Sequence, residues 1–359
     1  MPKPAERSIE KTQVDLARWL GKRIPGADQI EIQSLGGPEA TGFSSDTLLF
    51  DFSWRERGES RSAPVVVRLE PSGFQVFPSY EIAWQYRLMG ALGRVGVPTP
   101  RMLWLEEDPL PLGARFYVME RIDGQVPPDR PPYHMHGWLL DAPPSERRDV
   151  WRSGIDAMAR IHMADWRALG FQFLDRPEHG ATGIDQQLGY YERYLIWALD
   201  GDRHPACEQA LQWLRSNQPT GETLRLCWGD ARIGNMIFRD GRCAAVLDWE
   251  MATLGNPVQD LAWYLYLDRH HCEGIGVPRL DGFPSRDETI AQWEQATGLS
   301  ARESIDYYEI FAGLRFAAIM VRVSRQMKHY EQLPADSDFD LNNPASQLLA
   351  KLLPHGSTP

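Results

Sequence analysis

The sequence predicts an α+β chain built in two unequal parts. Three observations carry this expectation. Alternating and β-branched apolar runs crowd into the first third, at Ile30 and Ile32, Thr47 to Phe52, Pro64 to Leu69, Met102 to Leu105 and Phe116 to Met119. Helical spacing dominates afterwards, as in Trp151, Ile155, Met158 and Ile161. Between the two, Arg121-Ile122-Asp123-Gly124 runs into prolines from Pro127 to Pro132, a composition shift that marks a boundary. The expected units are a sheet-rich lobe over residues 1–121 and a larger, mainly helical lobe over residues 122–359.

At 359 residues the chain can bury a sizeable core, and 43% hydrophobic with 24% charged residues is a globular composition. A net charge of -11 argues against general nucleic-acid binding and against docking on anionic lipid. No apolar run is long enough to span a membrane, and Met1 to Arg7 lacks a signal-peptide core. The cysteines Cys207, Cys227, Cys243 and Cys272 show no paired metal spacing. His270-His271-Cys272 lacks a second ligand pair and reads as a polar helix end rather than a zinc site. A reducing, cytoplasmic setting is the resulting expectation.

In chain order, Ser8 to Arg23 reads as an amphipathic helix and Gln29 to Leu35 as a strand. Gly36-Gly37 and Thr41-Gly42-Phe43-Ser44-Ser45 interrupt before the next strand at Thr47. That is the layout of a loop covering phosphates with backbone N–H groups, and equally that of an ordinary hairpin. Arg55 to Ser62 is polar and reads as a turn. Arg68 is a cation embedded in the buried run Val65 to Leu69, so it either points out at an edge or meets phosphate oxygens and a carboxylate. Tyr80 to Leu92 reads as a helix whose Glu81 and Gln85 lie one turn apart, either able to face Arg68.

Helices are expected over Ser145 to Met163, Ile184 to Ala198 and Cys207 to Ser216. Tyr190, Tyr191, Tyr194, Trp197 and Trp213 supply core or a wall for a bulky apolar substrate. His162 reads as a structural hydrogen-bonding residue. Further on, Asn256-Pro257 opens a helix, Ser285 to Glu288 is a capping box, and Ser300 to Glu303 repeats that pattern before a long helix. A last short helix lies near Gln347 to Leu353.

The chemistry sits in Leu224 to Asp260. An apolar strand ends in Trp228-Gly229-Asp230, Asn235 follows after four residues, and a second apolar strand ends in Asp248. A hairpin through Phe238 to Gly241 would bring Asp248 beside Asn235. One amide oxygen and one carboxylate suit a magnesium ion that keeps water and phosphate oxygens as its other ligands. Asp230 is then placed to orient a substrate hydroxyl.

Gly229-Asp230-x4-Asn235, Val246-Leu247-Asp248-Trp249-Glu250 and Gly255-x-Pro257-x2-Asp260 resemble the aminoglycoside phosphotransferase and choline kinase family. The likeness is nearest to the bacterial phosphotransferase-family branch and the kinase-like domain of some acyl-CoA dehydrogenases. The resemblance covers most of the chain. It implies a bilobal, protein-kinase-like fold with a small antiparallel-sheet N-lobe and a mainly helical C-lobe. It also implies ATP and Mg2+ as cofactors and a small-molecule hydroxyl as acceptor.

Carried over residue by residue, Asp230 would be the catalytic base, and Asn235 and Asp248 would bind magnesium. Asp260 would support the catalytic loop. Arg68 would stand where a phosphate-binding Lys is usual, with Glu81 or Gln85 as its helix partner. The backbone of Glu120 to Ile122 would meet adenine, and Gly42 and Ser44 would belong to the phosphate loop. Trp228 departs from the family's usual His; an indole donates one hydrogen bond and accepts none, so the support of the loop must differ. Arg68 keeps the charge of Lys but changes its geometry.

Two readings follow. The first is a small-molecule kinase acting on a hydroxylated acyl or other partly apolar metabolite, or on an aminoglycoside-like compound. The second is a degenerate kinase fold that binds nucleotide or metabolite without turnover.

Overall fold

A computed structural model describes residues 9–36, 46–181, 183–221 and 223–354. The expected Gly42 and Ser44 of the phosphate loop lie outside the described residues. Helix α1 (Ile9–Arg23) is followed by β1 (Ala27–Gly36), β2 (Asp46–Glu56) and β3 (Glu59–Leu69). Helix α2 (Ile82–Gly93) then leads to β4 (Met102–Glu106) and β5 (Phe116–Glu120). These strands form an antiparallel sheet in the order β1-β2-β3-β5-β4.

Residues 55–62, expected as a turn, belong mostly to the β2–β3 hairpin, with Arg55 opposite Ser60 and Glu56 opposite Glu59. Only Arg57 and Gly58 turn, both at positive φ, which suits the right-handed twist of a tight hairpin. The arms are exposed there, so no apolar alternation marks them.

The pleat of β3 decides what each face of the sheet does. Val65, Val67 and Leu69 pack with Leu16, Trp19 and Leu20 of α1. Val66 points the opposite way, into the main core with Tyr117 and Met119 of β5. Arg68 shares the face of Val66, so it is aimed at the rest of the molecule rather than at an outer edge.

The larger part begins with α3 (Trp138–Asp141), α4 (Pro144–Met163), α5 (Gly183–Leu199) and α6 (Pro205–Ser216). Helix α4 starts at Pro144 after Pro143, so Ser145 lies inside its first turn rather than capping it. Short strands β6 (Arg225–Cys227), β7 (Met236–Arg239), β8 (Arg242–Val246) and β9 (Thr253–Gly255) follow, pairing as β6 with β9 and β7 with β8. Helices α7 (Val258–His271), α8 (Arg286–Thr297), α9 (Ile305–His329) and α10 (Pro344–Leu352) complete the chain.

Ser285 caps α8 in a capping box, as expected, and Gly298 ends it in the left-handed conformation. The second capping pattern does not cap. Glu294 Oε1 takes the N–H groups of Ala301 (2.8 Å) and Arg302 (3.3 Å), and α9 begins only at Ile305. The architecture is therefore bilobal and α+β. No described helix is long and apolar enough to cross a membrane.

Trp151 ties three helices of the larger lobe together. It is fully buried, its ring meets Tyr264 of α7 at 4.7 Å, and its Nε1 donates to Thr289 of α8 (3.0 Å). Trp151→Ala is expected to lower unfolding stability by about 3–5 kcal/mol, read as an earlier urea midpoint. A loss of under about 1 kcal/mol contradicts this packing.

Candidate active site

Strand β6 ends at Cys227, and two backbone N–H groups then turn inward. Trp228 N donates to Asp260 Oδ2 (2.6 Å) and Gly229 N to Asp260 Oδ1 (3.0 Å). Asp260 is fully buried in the first turn of α7, where the helix dipole favours a negative charge. Its Oδ2 also accepts from His162 Nε2 (3.0 Å), and His162 Nδ1 accepts from Trp293 Nε1 (3.0 Å). The Trp293 donor leaves the imidazole proton on Nε2, facing the carboxylate. His162 thus has the structural hydrogen-bonding role expected of it. Gly229 sits at φ +92, and a Cβ there would lie 2.0 Å from Met251 O, so only glycine allows this turn.

Trp228 supports the loop differently from a histidine. Its buried indole Nε1 donates to the carbonyls of Leu247 (2.8 Å) and Asp248 (3.1 Å). The end of β6 is thereby fastened to the segment that carries Asp248.

Asp230 follows Gly229 directly. Its Oδ1 accepts from Trp263 Nε1 (2.8 Å), and its Oδ2 from Asn235 Nδ2 (2.7 Å) and Arg232 Nε (3.1 Å). Asn235 Nδ2 also reaches the Asp230 carbonyl (3.1 Å), so Oδ1 is the atom Asn235 has left to present to a cation. The β7–β8 hairpin sets Met236 opposite Val246, and Leu247 N donates to Asn235 O (2.9 Å). That register brings Asp248 next to the Asn235 strand end. Asp248 is held at φ 60, an uncommon conformation for a residue with a Cβ.

Arg232 bridges Asp230 to Asp129, which lies in the proline-rich stretch after β5. Burial alone would raise the Asp129 carboxyl, but Arg232 outweighs it and holds the group below the usual carboxylate range.

Arg68 crosses between the lobes. Its Nη2 donates to Asp248 Oδ1 at 3.0 Å, with both side chains mostly buried. Burial works against the guanidinium charge, but Asp248 outweighs it and pushes the pKa up. Neither Glu81 nor Gln85 bonds Arg68. Gln85 Oε1 accepts instead from the Tyr117 hydroxyl (3.3 Å), and Glu81 stands at the exposed start of α2.

Glu120 pairs with Val65 at the end of β5, its N–H donating to Arg101 O (2.9 Å), and Ile122 follows partly buried. Gln125 and Phe238 then exchange two backbone bonds of 2.8 Å, anchoring this link to β7. Gly124 allows that approach, since a Cβ there would fall 2.6 Å from Phe238 O.

Beside Asp248, Glu81, Trp84, Arg176, Tyr190, Tyr191 and Glu250 line a cleft between α2, α5 and the segment after β8. Of the expected aromatic wall, Tyr190 and Tyr191 face this cleft. Tyr194 is core, its hydroxyl donating to Val76 O (2.7 Å); Trp213 packs on Tyr307, and Arg322 stacks on Trp197. His134, Asp268 and Cys272 form a compact ligand-type cluster, but it is already satisfied. Asp268 accepts from Tyr133, His134 and Arg279, and His134 Nδ1 accepts from Leu280 N. His270 and His271 end α7 as expected, half-buried there, and burial lowers the pKa of both.

Sequence reasoning missed Trp263 and Arg232 as partners of Asp230. Trp263 lies three residues after Asp260 on α7, so helical spacing puts both on one face, a signal that was readable.

The sequence profile of the phosphotransferase enzyme family matches residues 41–300. Acyl-CoA dehydrogenase family member 10 of Mus musculus is 30% identical over 272 residues, covering 73% of this chain and 24% of that protein. Acyl-CoA dehydrogenase family member 11 of Gallus gallus is 30% identical over 254 residues, covering 70% of this chain and 30% of that protein. The chain thus spans about a quarter to a third of the length of these relatives. Among solved structures, a Ralstonia eutropha protein described as a candidate aminoglycoside phosphotransferase superposes with a TM-score of 0.66 at 24% identity. The match covers 94% of this chain and 97% of that one.

Trp228→Phe keeps most of the ring volume and deletes the N–H that serves two carbonyls. It is expected to cost about 1–2 kcal/mol in urea unfolding. An unchanged urea midpoint contradicts the role given to the indole.

Proposed function

Because the chain belongs to the phosphotransferase enzyme family, we propose that it transfers the γ-phosphoryl group of ATP to a hydroxyl of a small molecule, with magnesium. The observation that carries this reading is the convergence of Asp230, Asn235 and Asp248 at adjoining loop and strand ends, facing a cation from the other lobe.

In the proposed mechanism Asp230 accepts a hydrogen bond from the acceptor hydroxyl and takes its proton as the oxygen attacks phosphorus. Trp263 and Asn235 fix the carboxylate, so the hydroxyl is aligned without reorganisation. Arg68 would meet phosphate oxygens, and the backbone of Glu120 to Ile122 would meet adenine, with Gly42 and Ser44 in the phosphate loop. The donor set fits magnesium: Asn235 has an amide oxygen to offer, and Asp248 already holds a cationic group, the Arg68 guanidinium. Bound there, magnesium would neutralise phosphate charge. Residues 1–121 would then be the nucleotide-binding lobe and residues 122–359 the catalytic and substrate-binding lobe.

The cleft supports an acceptor with an apolar body, such as a hydroxylated acyl compound. Its wall carries the rings of Phe77, Trp84, Tyr190, Tyr191 and Trp249, and its two carboxylates, Glu81 and Glu250, are accompanied by Arg176. A polycationic aminoglycoside would call for more acid. One observation favours the second reading, a binding module without turnover: Arg68 closes on Asp248 directly.

The test is ADP formation and an untargeted search for phosphorylated products in cell extract supplied with ATP and magnesium. Asp230→Ala is expected to slow transfer by about 10²–10⁴-fold, and chelation of magnesium to stop it. Equal rates for the two proteins contradict the mechanism, and ATP binding without turnover in the wild type favours the binding module.

A further inference from the structure

We propose that Arg315 is a positioning residue that holds Asp230 from two sides; this rests on the reading of Asp230 as the catalytic base. Arg315 lies mid-way along α9, 85 positions after Asp230 in the numbering, and is 1% exposed. Its Nη2 donates to the Gly229 carbonyl at 2.7 Å. Its guanidinium carbon stands 4.5 Å from the centroid of the Trp263 ring, and Trp263 Nε1 donates to Asp230 Oδ1 at 2.8 Å. The backbone of Asp230, through Gly229, and its carboxylate, through Trp263, therefore converge on one cation.

The surroundings of Arg315 fit this task better than simple core filling. No carboxylate pairs with it among the described residues, and its Nε and Nη1 make no hydrogen bond there. Aromatic faces enclose it instead, with Tyr191 at 5.3 Å and Phe311 at 5.4 Å. Burying a guanidinium without an anionic partner is costly, and an apolar side chain of similar volume would fill the space at less expense. A cation earns this place by what it grips: one carbonyl oxygen and the faces of rings. Tyr191 also lines the cleft, so the same guanidinium meets the cleft wall directly and Asp230 through Gly229 and Trp263. A base shifted by as little as 1 Å loses on the order of 10²-fold in rate, so a two-sided grip has a kinetic consequence.

The experiment compares wild type with R315M, R315K and D230N, using magnesium-ATP as the probe and water as acceptor. Circular dichroism first establishes that each variant is folded. R315M is expected to bind ATP within about threefold of wild type by calorimetry, while its kcat for ATP hydrolysis falls about tenfold or more. Deuterium exchange is expected to quicken in residues 228–235 and to stay unchanged in residues 46–69. R315K, which keeps a donor for Gly229 O, recovers most of the exchange protection and part of kcat.

Wild-type kcat and exchange in R315M overturn the proposal, as does a loss spread evenly over ATP affinity and the whole chain's exchange. If wild type and D230N hydrolyse ATP alike, the phosphotransfer reading fails by itself. The exchange contrast at residues 228–235 then decides the positioning role: its presence supports the role and its absence overturns it.

Discussion

At the end of β6 the N–H groups of Trp228 and Gly229 leave the ladder and point into the core, where water does not reach. The carboxylate of Asp260 receives both, and His162 and Trp293 hold that carboxylate from behind. A buried charge of this kind is costly unless every lone pair is used, and here three donors converge on it. Everything downstream inherits its position. Gly229 makes its left-handed turn over Met251, Asp230 emerges beside Trp263, and Asn235 bonds back to Asp230. The helix that carries Asp260 also carries Trp263, so one rigid element positions both the backbone and the carboxylate of the candidate base.

A second constraint joins this loop to the next. The Trp228 indole reaches the carbonyls of Leu247 and Asp248, and Asp248 in turn holds Arg68 from the sheet lobe. The lobes thus meet at a charge pair that also belongs to the candidate cation site. A guanidinium binds carboxylate and phosphate oxygens with the same donor geometry, so it can exchange one for the other without changing its charge. In the proposed reading, the contact between lobes and the phosphate site are linked through this one side chain.

The candidate site was legible where its residues lie within one short stretch and end a strand. Asp230, Asn235 and Asp248 flank the short strands, and Asp260 follows in the first turn of α7. The strands and most helices were legible from apolar spacing. What escaped depends on contacts that spacing does not encode. Arg68 was visible as a cation in a buried strand, but its partner comes from a residue 180 positions away rather than from α2. Arg232 finds Asp129 only because the segment after β5 folds onto the loop that carries Asp230. Ser300 to Glu303 looked like a helix start, yet Glu294 had already taken the N–H groups such a cap would serve. Residues 55–62 form hairpin arms with no buried face, so only the Arg57-Gly58 turn carried a local signal.

The most direct measurement is a crystal structure with manganese and a non-hydrolysable ATP analogue, with the metal located by anomalous scattering. The expected result is a manganese peak bound by Asn235 Oδ1 and the Asp248 carboxylate, with Arg68 released from Asp248 onto phosphate oxygens. A nucleotide-bound structure in which Arg68 still closes on Asp248, and no manganese lies between Asn235 and Asp248, would contradict it.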